Sequence, residues 1–403
     1  MQINKRIANY QENRIDYGVI LTVLLLCLMG LAIVYATTAM IASQGIGPTL
    51  QQALWYALGA LVVIVVMQFD SEQYWKLSIY FYGLGILLLI MVLFFHDRQT
   101  AIMTGAKSWF KLGPLSFQPS ELMKPALIIF LSRLVTEHNS QNQARTIRSD
   151  FMLIGKLLLA SAPVLLLVQL QNDLGTNLVM LSIIGGLILL SGVSWKILLP
   201  AFSIALILGG GLILLAVIFP DALLEIGFKP YQLGRITTWL EPFSDTRGES
   251  YQLVQSILSI GSGQLFGKGF GISEVPVPVR ESDFIFTTIG ENFGFFGSAV
   301  ILVIYFVLIY QMVQTCFETQ NEYYTYISAG VISMILFHVL ENVGMTIGLL
   351  PITGVPLPFI SQGGSAILSN MIGVGLILSM RYHHRSYMFS SEDPYMYNDR
   401  SNY

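Results

Sequence analysis

Ten apolar runs recur along this 403-residue chain, centred near Leu26, Val62, Leu87, Ile128, Leu165, Ile184, Leu208, Ile304, Ile335 and Ile372. About 20 apolar residues in helical form cross a bilayer, since lipid cannot pair a backbone N–H or C=O and the segment must pair its own. The pattern predicts an all-α polytopic integral membrane protein with ten transmembrane helices. Only 11% of the side chains are charged, against about 25% in soluble domains. A formal net charge of −3 gives no reason to expect nucleic acid as a partner. Cys27 and Cys316 sit in or beside apolar runs, far apart, and suggest neither a disulfide framework nor a metal site.

Lys5, Arg6 and Arg14 precede the first run, and the connection from Thr37 to Gln51 after it has no Lys or Arg. The positive-inside rule makes the N-terminus cytoplasmic, and the first run reads as an uncleaved signal anchor. Alternation then puts Arg133, Arg145, Arg148, Lys156, Lys196, Arg381 and Arg385 inside, and an even number of spans returns the C-terminus to the cytoplasm. Residues 1–390 are expected to form a single transmembrane domain and residues 391–403 a polar cytoplasmic tail. Two outer loops are long. One runs from about Asp97 to Pro119, and the other, between helices 7 and 8, covers about 220–283. Loops of such length are usually functional. Within the second, Tyr251 to Ile260 has the periodicity of an amphipathic surface helix.

In such a chain few polar residues are placed where chemistry could occur. Asp283 stands where the chain re-enters the membrane, either as a helix N-cap or as a general base facing the outer leaflet. Glu291, eight residues on, is therefore about two turns further along the same face, and a carboxylate at that depth calls for a basic partner or a wet cleft. Pro119-Ser120-Glu121-Leu122-Met123-Lys124 opens the fourth run with Ser120 as a plausible cap and Glu121 and Lys124 at i, i+3, the spacing of an ion pair. Asp173 lies in a tight outer turn that favours capping over substrate contact. His338, Glu341 and Asn342 form a polar cluster within the ninth run, read as interhelical bonding or, more sharply, as a proton pathway.

Pro351 to Ser365 is too rich in Pro and Gly for a regular helix. Non-helical backbone at membrane depth survives only when buried in protein or lining a cavity, which makes Ser361 and Gln362 binding candidates. Gly261 to Gly271 is glycine-rich but fits no nucleotide-binding motif, so turn formation is the better reading. The outer loops also concentrate basic residues, namely Arg98, Lys107, Lys111, Lys229, Arg235, Arg247, Lys268 and Arg280. A pyrophosphate-bearing substrate would account for them, and so would scattered solvated charge.

Taken together, Trp109 to Lys124, Gln171 to Thr176, Arg235 to Gln252, Arg280 to Gly294 and Pro351 to Ser365 resemble the SEDS family of shape, elongation, division and sporulation proteins, and its RodA branch more than FtsW. The resemblance runs through almost the whole chain, with PLPFISQGGS as its most specific motif. It implies a peptidoglycan glycosyltransferase that polymerises lipid II, with the family's essential aspartate at Asp283 and its paired Glu and Lys at Glu121 and Lys124. It also implies a class B penicillin-binding protein as crosslinking partner, alongside other elongation-complex proteins. There is one departure. Many members carry two adjacent Glu residues where this chain has Glu291-Asn292.

The reaction so implied forms a β-1,4 bond with inversion and releases undecaprenyl pyrophosphate. Asp283 is then the expected base, and Glu121, Lys124, Arg280, Glu291, Asp173, Arg235, Ser361 and Gln362 are the residues expected at the cavity or substrate. Lys124, Arg280 or a divalent cation such as Mg or Mn would stabilise the leaving anion, with no metal site assigned. A flippase for lipid-linked precursors and a non-catalytic scaffold for a cell-wall synthase are the alternatives. The location expected is the bacterial cell membrane, with the active site extracytoplasmic.

Overall fold

The computed structural model describes residues 15–387 except 43, 114, 143, 145, 226–229, 247, 249 and 320. Lys5, Arg6, Arg14, Arg145, Lys229, Arg247 and the polar tail lie outside the described residues. A helix covers each of the ten apolar centres: α1 Tyr17–Tyr35, α2 Gly47–Met67, α3 Ser71–Phe95, α5 Pro119–Gln141, α6 Ile147–Leu170, α7 Leu174–Leu190, α8 Trp195–Ile218, α12 Ile285–Glu318, α13 Glu322–Thr346 and α14 Gly364–Tyr387. Between them lie the short helices α4 Arg98–Thr104, α9 Pro220–Glu225, α10 Pro230–Leu240 and α11 Tyr251–Ser262, and an antiparallel pair β1 Phe110–Leu112 and β2 Leu115–Phe117.

Among the described residues, eight helices are long and apolar enough to cross a membrane. The other two at the apolar centres, α5 and α7, fall short for a physical reason. Glu121, Lys124, Arg133 and Glu137 interrupt the apolar run of α5, and α7 has 17 residues. Both pack against α13, and α5 also packs against α3 and α14. A helix wrapped by protein needs neither full length nor a uniformly apolar surface. At the opposite extreme, α8 is exposed along most of its length, and Ala216 joins Leu223 and Leu233 in a small separate apolar cluster.

One end of the bundle is clamped by a carboxylate. Asp16 caps α1 by accepting from Gly18 N and Val19 N, and it also accepts from Thr315 Oγ1 on α12 and pairs with Arg381 on α14 at 2.5 Å. At the other end the long connections pack on one another. Lys107 N donates to Gln171 O, Gln118 N to Ser365 Oγ, and Trp239 Nε1 to Gly348 O. The segment expected to be an amphipathic surface helix is α11, and it is seated on the bundle, with Leu253, Val254, Ser256 and Ser259 buried and Ser256 Oγ donating to Thr346 O.

The glycine-rich run Gly261 to Gly271 receives a break in α12. At Gly294 the backbone takes φ 64°, ψ −160°, so the helical ladder is interrupted. Phe295 N and Phe296 N donate instead to Gln264 O and Leu265 O, while Lys268 N and Gly269 N donate to Glu291 O and Asn292 O. Irregular backbone survives here because the loop replaces the lost ladder bonds. A Cβ on Gly294 would stand 2.4 Å from Gly267 N. Gly294→Ala is therefore expected to destabilise the protein by at least about 1–3 kcal/mol, the usual cost of such a conformation for a residue with a side chain. The melting temperature of the purified protein measures this, and an unchanged value would show that the break is not built in.

Candidate active site

A cavity of about 660 Å³ opens among the connections at the end of the bundle opposite the Asp16 clamp. Asp283 is on its wall. The chain becomes helical at Ile285, with Phe284 in the capping position and no side-chain capping bond, so Asp283 does not cap α12. Its backbone is held by other elements. Asn342 Nδ2 on α13 donates to Asp283 O and Val355 O at 2.7 and 2.8 Å, Ser361 Oγ donates to Ser282 O at 2.7 Å, and Gln362 N donates to Glu281 O at 2.9 Å. The Pro- and Gly-rich segment thus spends its backbone and hydroxyl groups on the stretch that carries the carboxylate. Gly354, at φ 76°, lets that carboxylate approach, since a Cβ there would lie 3.2 Å from Asp283 Oδ2.

Enclosure pushes the Asp283 carboxyl up to about 7; the Ser282 hydroxyl opposes this, the like charges of Asp173 and Glu281 add to it, and Arg235 opposes it. Asp173 both caps and lines the cavity. Its Oδ1 accepts from Thr176 N at 3.0 Å, and its Oδ2 accepts from Thr176 Oγ1 and from Gln118 Nε2 at 2.9 and 2.7 Å. Arg235, on α10, lines the same cavity while Nη1 donates to Ile352 O at 2.9 Å.

Glu121 and Lys124 also line the cavity, paired at 2.7 Å, with side chains 5% and 1% exposed. Ser120, expected to cap α5, does not: Gln118 holds the capping position without a side-chain bond, and Ser120 Oγ is buried without a partner. His338, which the sequence places far from Asp283, lines this cavity too, its Nε2 3.1 Å from Lys124 Nζ. Glu341 is turned elsewhere and accepts from Thr353 Oγ1 at 2.8 Å.

The cavity therefore gathers Asp283, Asp173, Glu121, Lys124, Arg235 and Gln362, with Ser361 bracing it from behind. It does not gather Arg280 or Glu291. Because the backbone before Ile285 is not helical, Asp283 and Glu291 do not share a face, and Glu291 is buried against Arg280 Nη2 at 2.5 Å and Lys268 Nζ at 3.1 Å. Of the described basic residues of the long loops, Arg98, Lys107, Lys111, Lys268, Arg280 and Arg235, only Arg235 lines the cavity. Sequence reasoning passed over Gln52, Trp55, Gln118 and Glu281, which line it as well. Glu281 and Gln118 adjoin residues already singled out, but nothing local marked Gln52 or Trp55 on α2.

Asn292, the departure from the paired-Glu pattern, accepts from Gly271 N through Oδ1 and donates from Nδ2 to Ile272 O. A carboxylate could not make the second bond.

The comparisons with known proteins agree with this architecture. Stage V sporulation protein E of Bacillus subtilis is 31% identical over 379 residues, covering 92% of this chain and 98% of that protein. Peptidoglycan glycosyltransferase MrdB of Escherichia coli K12 is 32% identical over 368 residues, covering 90% and 93%. Among solved structures, a chain of a peptidoglycan synthase complex that coordinates polymerization and crosslinking superposes with a TM-score of 0.72 at 26% identity, covering 92% and 98%. RodA of Thermus thermophilus gives 0.65 at 25%, covering 93% and 99%. Residues 17–386 match the FtsW/RodA/SpoVE family model, described as cell cycle protein, and the chain belongs to that family, the SEDS proteins.

Proposed function

We propose that this chain is a peptidoglycan glycosyltransferase that polymerises lipid II into β-1,4-linked glycan strands with inversion, releasing undecaprenyl pyrophosphate. The observation that carries the reading is a carboxyl with acidity near neutral, Asp283, on the wall of a polar cavity, in a chain aligned over most of its length with a named peptidoglycan glycosyltransferase. The acceptor's 4-hydroxyl attacks the anomeric carbon of the donor, Asp283 takes its proton, and the bond from that carbon to the pyrophosphate oxygen breaks. Lys124 and Arg235 supply positive charge toward the leaving anion.

Among the described residues no group of three or more His, Cys, Asp or Glu is placed to hold a metal ion such as Mg or Mn. Such an ion would be held chiefly by substrate phosphate oxygens. The wider reading is a cell-membrane enzyme of ten spans with both termini cytoplasmic and the cavity outside. It would serve elongation and rod shape beside a class B penicillin-binding protein, a partnership in keeping with the polymerising and crosslinking complex among its structural relatives.

Lipid II confined to the outer leaflet of proteoliposomes should be polymerised by outward-facing protein without ATP or an ion gradient. Asp283→Asn should lower that rate by about 100- to 10,000-fold, the usual contribution of a general base, without loss of fold. Translocation of labelled lipid II with no polymer, in the presence of a divalent ion and a crosslinking partner, would favour the flippase reading instead.

Acidity near 7 also fixes a pH profile. The base is lost as pH falls through about 7, so kcat/KM should carry an acid limb there. The stability linked to the same shift runs the other way: it is present below the ordinary carboxylate range and is lost as pH rises through about 7. Glu281→Gln removes a like charge and should move the limb to lower pH; a limb that stays in place would assign it to another group.

Glu121→Ala and Lys124→Ala should each destabilise the protein by about 3–5 kcal/mol, since either leaves a buried charge unpaired, and the double substitution should recover part of the loss. Strictly additive losses in thermal melts would argue against the pairing.

A further inference from the structure

Lys124 stands within the second turn of α5, and the structure gives its ammonium two partners. One is Glu121 Oε2, at 2.7 Å. The other is His338 Nε2, at 3.1 Å, from the facing helix α13. The partners of the imidazole settle which nitrogen carries its proton. Nδ1 lies 2.8 Å from Met334 O, one turn back on the same helix, and a carbonyl can only accept, so Nδ1 is the donor. An ammonium can only donate, so Nε2 must present its lone pair. An imidazolium would instead set an N–H against the Lys124 charge. The ring is therefore neutral, oriented by its own helix, and 1% exposed.

An ion pair alone needs no such second partner. With Glu121 as its sole partner, a flexible lysine would be held only by that carboxylate, on its own helix one turn away. A neutral acceptor on the facing helix ties the ammonium to α13 without cancelling its charge, and an ammonium has three donors. One is engaged by His338, Glu121 lies beside the ammonium as an ion pair, and Lys124 lines the cavity.

We propose that His338 is a positioning residue. Its Nε2 lone pair fixes the direction of the Lys124 ammonium beside Glu121, so that a remaining N–H meets an anionic phosphate oxygen of the substrate. This rests on the proposed glycosyl transfer for the identity of the anion, but the geometry itself does not depend on that reaction.

The test compares His338→Gln, whose Oε1 can accept from Lys124, with His338→Met, which fills similar space and accepts only weakly. Both are made in the full-length protein in detergent. Undecaprenyl pyrophosphate is the probe, its affinity read by thermal shift, with lipid II polymerisation measured alongside. His338→Met is expected to weaken probe binding by about tenfold or more, the size of one charge-assisted hydrogen bond, with an unchanged melting temperature in the absence of probe. His338→Gln is expected to restore most of that loss.

If His338→Met binds the probe as the wild type does, the proposal is overturned. It is also overturned if both variants lose affinity together with equal losses of melting temperature, since that marks a packing role. If the wild type makes no polymer while probe binding still follows the acceptor at position 338, the glycosyltransferase reading fails and the positioning role stands. Nitrogen NMR of the unsubstituted protein, with the His338 signals assigned by their disappearance in His338→Gln, needs no variant to retain function. A neutral ring protonated at Nδ1 is expected, and an imidazolium or an Nε2–H tautomer would refute the assignment.

Discussion

The long loop beside the cavity depends on one carboxylate. Glu291 is fully buried and accepts from Ser259 Oγ on α11, Lys268 Nζ, Ser273 Oγ, Glu274 N, Val275 N and Arg280 Nη2. These donors come from separate stretches of chain, so a single side chain on α12 gathers most of the segment between α11 and α12. Hydrogen bonds to a charged group are worth about 1.5–3 kcal/mol each, and a buried carboxylate is tolerable only when so paired. Arg280 is three residues before Asp283. Fixing Arg280 fixes the turn that contains it, in which Val279 takes φ 53° and its carbonyl accepts from Ser282 N and Phe284 N.

From the other side, the same turn is held by α13 and by the segment between α13 and α14. Asn342, Ser361 and Gln362 each donate to a carbonyl of residues 281–283. The two anchors divide the work. The Glu291 cluster consumes Arg280 and Lys268, which the sequence offers as phosphate ligands, and the Pro- and Gly-rich segment orients Asp283 toward the cavity. Positive charge at the cavity wall then comes from Arg235 and Lys124, on elements far apart in the chain.

What the sequence made legible follows from the range of each interaction. Apolar runs are local and long, so every expected centre is helical. The Glu121 and Lys124 pairing depends only on an i, i+3 spacing within one helix, and it is present. The shared face of Asp283 and Glu291 failed because it required the helix to begin two residues earlier than Ile285. His338 was placed away from the reaction because depth along its own helix says nothing about the facing helix, and Lys124 reaches it from α5. Trp55 and Gln52 were missed for the same reason: their role arises from α2 packing against α14, across some three hundred residues of chain.

The charges of the cavity are arranged so that each end does what the proposed reaction asks of it. Around Asp283, enclosure and the nearby Asp173 and Glu281 make a carboxylate hold its proton more tightly, which turns a weak base into a useful one near neutrality. Around Lys124, a paired carboxylate and an imidazole on the facing helix hold the ammonium in place. In the proposed reaction, proton acceptance and anion stabilisation would fall to different groups held on different elements. A solvent-exposed site could not hold the Asp283 carboxyl so far from its ordinary acidity, since water would draw it back. The apolar bundle around α5 and α13 is what preserves the difference, and it explains why the helices richest in buried polar groups are also among the most deeply enclosed.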